Sequence, residues 1–425
     1  MNEFHTKDIR NLSLLGHASS GKTSLVEAML YTKEETDRLG RIVEGNTKSD
    51  YHADEKERKH SINYSLMHVT HKNKKLNIID TPGYLDFIVI SNLFIRFTRD
   101  DQLPLGFIIN KLDNEDSNFE DSLNQLKASF GKNSVVPLQL PVNEGPDFNK
   151  VVDIINMVCY EYSDDNSGAA EKVDIPDSIK SQAEEIRNGL IESIAETDEE
   201  LLEKFFEEET LPDEDIVAGL KRAIINREVF PVFATDAFNN IGISNLLDQM
   251  VSFVPAPDER ELPETEEDVD VEVSDDSPTS CFVFQTMMEG HAGGLFFMKL
   301  MSGTLKKGMT LINTKSKESE KIGQIYVING KNSKEIEEAH AGDLIATTKL
   351  KNTHTNTTLC EEDTKITFQK IDFPEPVIQE AIKPKSRSDE DKIKDGLQSI
   401  SDEDPTFNFE FNPEISRYRN RFLFD

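Results

Sequence analysis

The residues best placed to do chemistry gather first in GHASSGKTSL, Gly16 to Leu25, where Gly16, Gly21, Lys22 and Thr23 keep the spacing G-x-x-x-x-G-K-T. Glycines in this pattern let successive backbone N–H groups turn inward around a phosphate chain, and the helix N-terminus that follows adds positive potential. The loop runs through Gly16, His17, Ala18, Ser19, Ser20 and Gly21, and Ser24 opens the helix behind it. Lys22 would neutralise β- and γ-phosphates, while the Thr23 hydroxyl would ligate Mg²⁺. The bland alternative is a glycine-rich loop that binds nothing. A second stretch, Asp80-Thr-Pro-Gly83, ends the run KLNIID. There Asp80 can reach a Mg²⁺-bound water and the Gly83 amide can meet a γ-phosphate. A third, Asn110-Lys111-Leu-Asp113, ends the run LGFIIN. Asp113 can accept from the ring N–H and exocyclic amine of guanine, a donor pair that adenine lacks. Each tetrapeptide alone reads equally as a polar strand-to-helix turn. In this order, each after an apolar strand, they predict a guanine nucleotide, GTP or GDP, rather than ATP.

These residues need elements to hold them. Leu12, Leu14 and Leu15 in NLSLLG read as a short buried strand, and SLVEAML, Ser24 to Leu30, as the start of a helix. From residue 9 to about 148 apolar runs alternate with helical stretches, the signature of an α/β sheet, with VVPLQLPV as a further strand. From Pro176 to Ile225 the pattern turns helical: Ile179, Ala183, Ile186, Leu190 and Ile194 share one face, and Thr197-x-x-Glu200 suggests a capping box. FPVFATDAF, 230–238, resumes strand character, and a helix follows over 243–253. The expected organisation is an α/β P-loop domain over 1–257 with a helical insertion at about 149–228. A solvated acidic linker over 258–278 follows, since Asp258 to Asp276 holds eleven acidic residues against one Arg. Short alternating runs with Gly turns predict an all-β barrel over 279–370, and 371–425 begins an α+β domain.

Composition narrows the function classes. The chain of 425 residues carries 47 basic and 80 acidic side chains, a net charge of −33. An acidic chain of this kind is not a nonspecific DNA or RNA binder, because attraction to phosphate needs local Lys and Arg. Cys159, Cys281 and Cys360 are far apart with no C-x-x-C, so they read as free thiols of a reducing compartment. The start MNEFHTKDIR lacks a signal-peptide core and no apolar run has membrane-spanning length, which points to a cytoplasmic protein without a membrane partner.

With these motifs in place, the sequence resembles the translational GTPases, and specifically elongation factor G, over about 1–420. The resemblance includes EGNTKSDYHADEKERKHSI in the first switch region, DTPGYLDF in the second, and ETDEELLEKFFEEETL in the insertion. It extends through SGTLKKGMTLINT, EIEEAHAGDLIATTKLKNTHTNTTLC and FPEPVIQEAIKPKSRSDEDKIKDGLQSISDEDPTF, which have no part in nucleotide chemistry and make the match specific. The resemblance implies a monomer that binds GTP or GDP with Mg²⁺, contacts rRNA and ribosomal proteins, and moves the complex after peptide transfer.

Departures from the family set further expectations. Tyr84 stands where the family has the catalytic His; a phenol does not take a proton at neutral pH, so slow hydrolysis is expected. Ser61 matches the family's switch Thr on Mg²⁺ and keeps the hydroxyl, and Asp236-Ala237 replaces Ser-Ala in the base-side loop, where the Ala237 amide can still donate to guanine O6. Gly83 and Asn110 lie 27 positions apart, room for about one βα unit less than the family pattern. The strand lost normally separates the phosphate-loop strand from the NKLD strand. Its loss predicts a gap or a shift of about 4.8 Å, an open sheet edge, and an NKLD loop displaced from GHASSGKT. The chain ends within the third domain, so it is expected not to promote translocation by itself. The competing readings are a non-hydrolysing ribosome-associated protein and a truncated paralogue without an independent role.

Overall fold

The computed structural model describes residues 4–83, 103–197, 199–208, 210–260, 264–289, 293–364, 366–373, 378–382, 390–404, 406–412 and 417–422. Tyr84 and the shortened segment as far as residue 102 lie outside them. The chain divides into two units. One runs from Arg10 to Pro255 with Asn329–Lys331; the other joins the residues up to Ile9 to Ala256–Ile328 and to the chain from Asn332 onward.

In the first unit, β1 (Ile9–Leu14) feeds the glycine loop, which opens onto α1 (Lys22–Thr32). A switch segment follows, carrying α2 (Ala53–Arg58) and then the hairpin β2 (Ser65–His71) and β3 (Lys74–Asp80). Lys72 and Asn73 at its tip both have positive φ, 46° and 59°, the two-residue turn whose twist matches antiparallel strands. These strands form one sheet in the order β1-β3-β2. A second sheet is built from β4 (Phe107–Ile109), β5 (Val135–Pro137) and β10 (Phe230–Ala234), with β10 central and parallel to both neighbours. Between β4 and β5 runs α3 (Phe119–Phe130), capped by the Asn118 side chain on the Asp121 amide.

Among the described residues β1 and β4 both sit at sheet edges and do not pair. A cleft of about 630 Å³ opens there, lined by Leu14, Gly16, Lys22, Ile108, Asn110 and Leu126 among others. Leu15 lies past the end of β1 and is exposed, contrary to its reading as a buried strand residue.

The insertion expected to be helical begins as sheet. β6 (Gln139–Pro141), β7 (Lys150–Asp153), β8 (Val158–Tyr162) and β9 (Ala170–Val173) form an antiparallel meander. The turn between β7 and β8 closes on the Asp153 carboxylate, which accepts from the Asn156 amide at 3.0 Å. Helices come only afterwards: α4 (Asp177–Ala195), α5 (Glu199–Glu208) and α6 (Asp213–Ile225). Of the helical stripe, Ile179, Ala183, Leu190 and Ile194 are buried and Ile186 is half-buried. Thr197 does not cap α5 as the pattern suggested; its hydroxyl donates to Ile194 O at 2.7 Å and closes α4. α7 (Ile243–Phe253) packs on α1 and α6, and its Asn245 joins a buried network with Gln139 and Asp153. Gln139 in turn accepts from the Ala234 amide, which fixes the end of β10.

The second unit holds an eight-stranded sheet whose central hairpin pairs Ser280–Glu289 with Gly293–Ser302 in antiparallel register. One apolar cluster fills it, with Cys281, Val283, Met298, Leu300, Ile325 and Leu359 at its heart. The acidic stretch before it is not a free linker: Val271 is buried against Phe282 and Phe368, and Thr265 bridges Phe368. Of the alternating valines only Val271 is buried, while Val269 is exposed. Beyond it a three-stranded sheet, Ile378–Ile382, Arg417–Phe422 and Asn408–Asn412, with the helix Glu390–Glu403, makes the α+β unit. Cys159, Cys281 and Cys360 are free and buried.

Candidate nucleotide-binding site

The glycine loop is shaped for an anion. Gly21 caps α1 with φ 96°, a left-handed conformation that costs glycine no Cβ clash, and Ser19 also has positive φ, 63°. Lys22 Nζ donates to the loop carbonyls of Gly16 at 2.9 Å and His17 at 3.1 Å, so its charge is already held over the loop. Burial pulls its ammonium below the usual lysine range, and Asp80 opposes that. Gly83 closes on the same point: a Cβ there would meet Lys22 Nζ and stand 2.8 Å from the Ala18 amide nitrogen. Only glycine lets DTPG approach the loop so closely. Thr81 anchors that approach by donating to Leu14 O at 2.6 Å.

The three residues expected at Mg²⁺ converge. Thr23 Oγ1 donates to Asp80 Oδ2 at 2.8 Å and lies 3.1 Å from Ser61 Oγ. Ser61 is held in place by Glu55, whose buried carboxylate accepts from the amides of Ile62 and Asn63 at 3.1 Å each. Burial raises the Asp80 carboxyl to about 7, despite the hydrogen bond from Thr23. Asp50, which the motifs did not single out, joins the cluster; burial raises its carboxyl as well, against a hydrogen bond from Ser61. Asp80 Oδ1 and Asp50 Oδ2 are buried without a hydrogen-bond partner. Unpaired buried carboxylate oxygens beside two hydroxyls fit a hard divalent cation, which would supply the missing positive charge.

On the base side the expected displacement of NKLD does not occur. Asn110 Nδ2 donates to Ser20 O at 3.0 Å, while its Oδ1 accepts from the Ala237 amide at 2.9 Å and Thr235 Oγ1 at 3.2 Å. One side chain therefore ties together the phosphate loop, the NKLD loop and the base-side loop. The reason is that β4 takes its position from β10, with Ile109 opposite Ala234, and does not need the lost strand. Lys111 lies beside Gly21, again with positive φ, 65°. The Ala237 amide, expected to be available for guanine O6, is engaged by Asn110. Asp236 faces its own loop, accepting from Phe238 N at 2.9 Å and Asn239 Nδ2 at 2.6 Å. Burial, and then the charge of nearby Asp113, raise its carboxyl.

Two further residues escaped sequence reasoning. Glu27 on α1 accepts from Lys48 N at 2.6 Å and Ser49 N at 3.2 Å, fastening the switch segment next to Asp50. Arg41 lies 3.8 Å over the Phe238 ring and donates to Phe238 O at 2.6 Å, roofing the base-side loop. Neither belongs to a motif; an acid inside an otherwise apolar helix, VEAML, was the available signal for Glu27.

Residues 7–93 match the family model of the Elongation factor Tu GTP binding domain, 278–362 that of Elongation factor G domain 2, and 373–416 that of Elongation Factor G, domain III. A crystal structure from Thermus thermophilus shares the fold with a TM-score of 0.85 at 25% identity, covering 98% of this chain. The chain spans 64% of that protein's length.

Proposed function

We propose that this chain, an elongation-factor-G-like translational GTPase, binds GTP and GDP with Mg²⁺ and acts on the ribosome in translation elongation. The observation that carries the reading is Asn110, which joins the phosphate, NKLD and base-side loops through three hydrogen bonds. In this reading Gly16 to Ser24 cradle the phosphates, Lys22 neutralises them, and the Gly83 amide meets the terminal phosphate. Thr23, Ser61 and Asp80 hold Mg²⁺, with Asp50 in the surrounding shell. Bound there, the cation offsets the charge of the phosphates. Asp113 accepts from the guanine edge. The Ala237 amide must turn from Asn110 before it can serve guanine O6, a small rearrangement of the base-side loop on binding.

Hydrolysis is expected to be slow. Tyr84 replaces the family His, and a phenol, with an unperturbed pKa of about 10, orients water but does not take its proton at neutral pH. This favours a protein that works mainly through its bound state, a ribosome-associated binder in which turnover is secondary. The protein is expected to act in the cytoplasm as a monomer.

The test is a titration with a fluorescent GTP analogue, with GTP and ATP as competitors, with and without Mg²⁺. GTP should compete at least about 100-fold better than ATP, in line with a site built to hydrogen-bond one base edge. Equal competition by ATP would sink the guanine assignment. Ribosome co-sedimentation with a non-hydrolysable analogue tests the partner separately.

A further inference from the structure

A cluster in the second unit, apart from the residues of the nucleotide site, has metal-ligating chemistry. His5, Asp275 and His340 each offer one donor atom within 4.8 Å of the other two. All three belong to the same unit, although His5 is 270 residues before Asp275 in sequence. His5 Nδ1 lies 2.9 Å from Asp275 Oδ2, and His340 Nδ1 lies 3.5 Å from the same oxygen. The two imidazoles lie with their centroids 4.5 Å apart and their planes tilted by 56°.

From this geometry we infer that His5, Asp275 and His340 form a site for a first-row divalent transition metal, with Zn²⁺ as its occupant. Tetrahedral ligation at about 2.0–2.1 Å places neighbouring donor atoms about 3.3 Å apart, and the two observed separations bracket that value. The donor set is two imidazole nitrogens and one carboxylate, which suits zinc better than the oxygen-preferring Mg²⁺.

The surroundings are also those of a ligand set. Thr6 Oγ1 donates to Asp275 Oδ1 at 2.6 Å, which turns the other carboxylate oxygen toward the histidines. Thr304 Oγ1 donates to Asp275 O at 3.1 Å and lies 3.4 Å from His340 Nδ1, so it fixes the segment bearing the carboxylate. The long Thr304–His340 contact is the one that a metal would replace. His340 is buried and His5 half exposed, so the site opens to solvent on the His5 side, where water completes the shell.

Such a metal would staple the start of the chain to the rest of the unit that carries Asp275 and His340. The loop it closes is long, and a clip of this kind restricts the unfolded chain as well as the folded one.

The experiment uses the full chain, stripped with chelator, in calorimetric titrations with Zn²⁺ and separately with Mg²⁺ in the absence of nucleotide. Co²⁺ absorption reports whether the ligand field is tetrahedral. One equivalent of Zn²⁺ should bind with micromolar or tighter affinity, unmatched by Mg²⁺, and Co²⁺ should give visible tetrahedral bands. His5→Ala removes a partly exposed ligand, and Asp275→Asn removes the shared carboxylate charge. Each should weaken Zn²⁺ by about 100-fold or more, judged against the 10–100-fold losses typical even of outer-shell changes. GTP-analogue affinity should stay unchanged in both variants, which shows that they are folded. Wild-type Zn²⁺ affinity in both variants would place the metal elsewhere and overturn the site. Zn²⁺ binding no tighter than millimolar in the wild type would reduce the trio to a hydrogen-bonded cluster and overturn it too.

Discussion

At the scale of single residues the site depends on charges held away from water. Lys22 is the cation over the glycine loop, so Lys22→Ala should lower GTP affinity by about 2 kcal/mol or more, roughly 30-fold, as the loss of a charge-assisted contact. The fluorescent titration reads this directly, and an unchanged affinity would remove the phosphate-loop assignment. Asp80 sets a pH dependence. Burial raises its carboxyl to about 7, and a metal ligand must be ionised. Below that pH, binding must first remove a proton, so Mg²⁺-dependent GTP affinity should rise from pH 6 to pH 8, by up to about tenfold per unit below the midpoint. Asp80→Asn should weaken binding and flatten that rise.

At the scale of elements, Glu27 links α1 to the switch segment through the amides of Lys48 and Ser49. Burial raises its carboxyl from 4.5 to about 7. The folded state therefore binds more protons than the unfolded state between those values, and the stability Glu27 contributes is lost as pH rises through about 7. Asp80 acts with the same sign. The nucleotide-free, metal-free protein should melt at a lower temperature at pH 8 than at pH 5.5, and Glu27→Gln should reduce the difference while keeping an acceptor for both amides. Asn110 is the corresponding link on the base side. Asn110→Ala should release Ser20, Thr235 and Ala237 together, costing about 2–3 kcal/mol of GTP binding and speeding amide exchange at Ala237. Loss of affinity without faster exchange at Ala237 would mean that Asn110 serves the base alone.

At the scale of the whole molecule, the net charge of −33 governs how a polyanionic partner can be met. Broad attraction to phosphate is absent, so ribosome association should rest on local contacts and depend weakly on salt. Duplex DNA and protein-free rRNA should not be retained in filter binding at about 100 mM salt. A steep salt dependence of ribosome co-sedimentation would contradict this. Alternate use of GTP and GDP should change retention on the ribosome if the bound nucleotide is what the partner reads.

The sequence by itself determined where the motif segments lie and most of the elements that carry them. GHASSGKT, DTPG and NKLD each carry their geometry locally, because a strand, a glycine turn and a helix start follow from neighbouring residues. β10 and α7 were equally legible from FPVFATDAF and the apolar periodicity of 243–253. The meander within the insertion was hidden, since its short strands carry turns and charges that resemble loop. The packing of Val271 was hidden by the acidity around it. Tertiary structure alone decided that NKLD still meets the phosphate loop across the strand gap, because β10 holds β4 from the other side. It alone brought Asp50, Glu27 and Arg41 to the nucleotide site and His5 to Asp275 and His340. Those meetings span long sequence separations, and no local pattern encodes a contact whose energy exists only once distant segments have folded together.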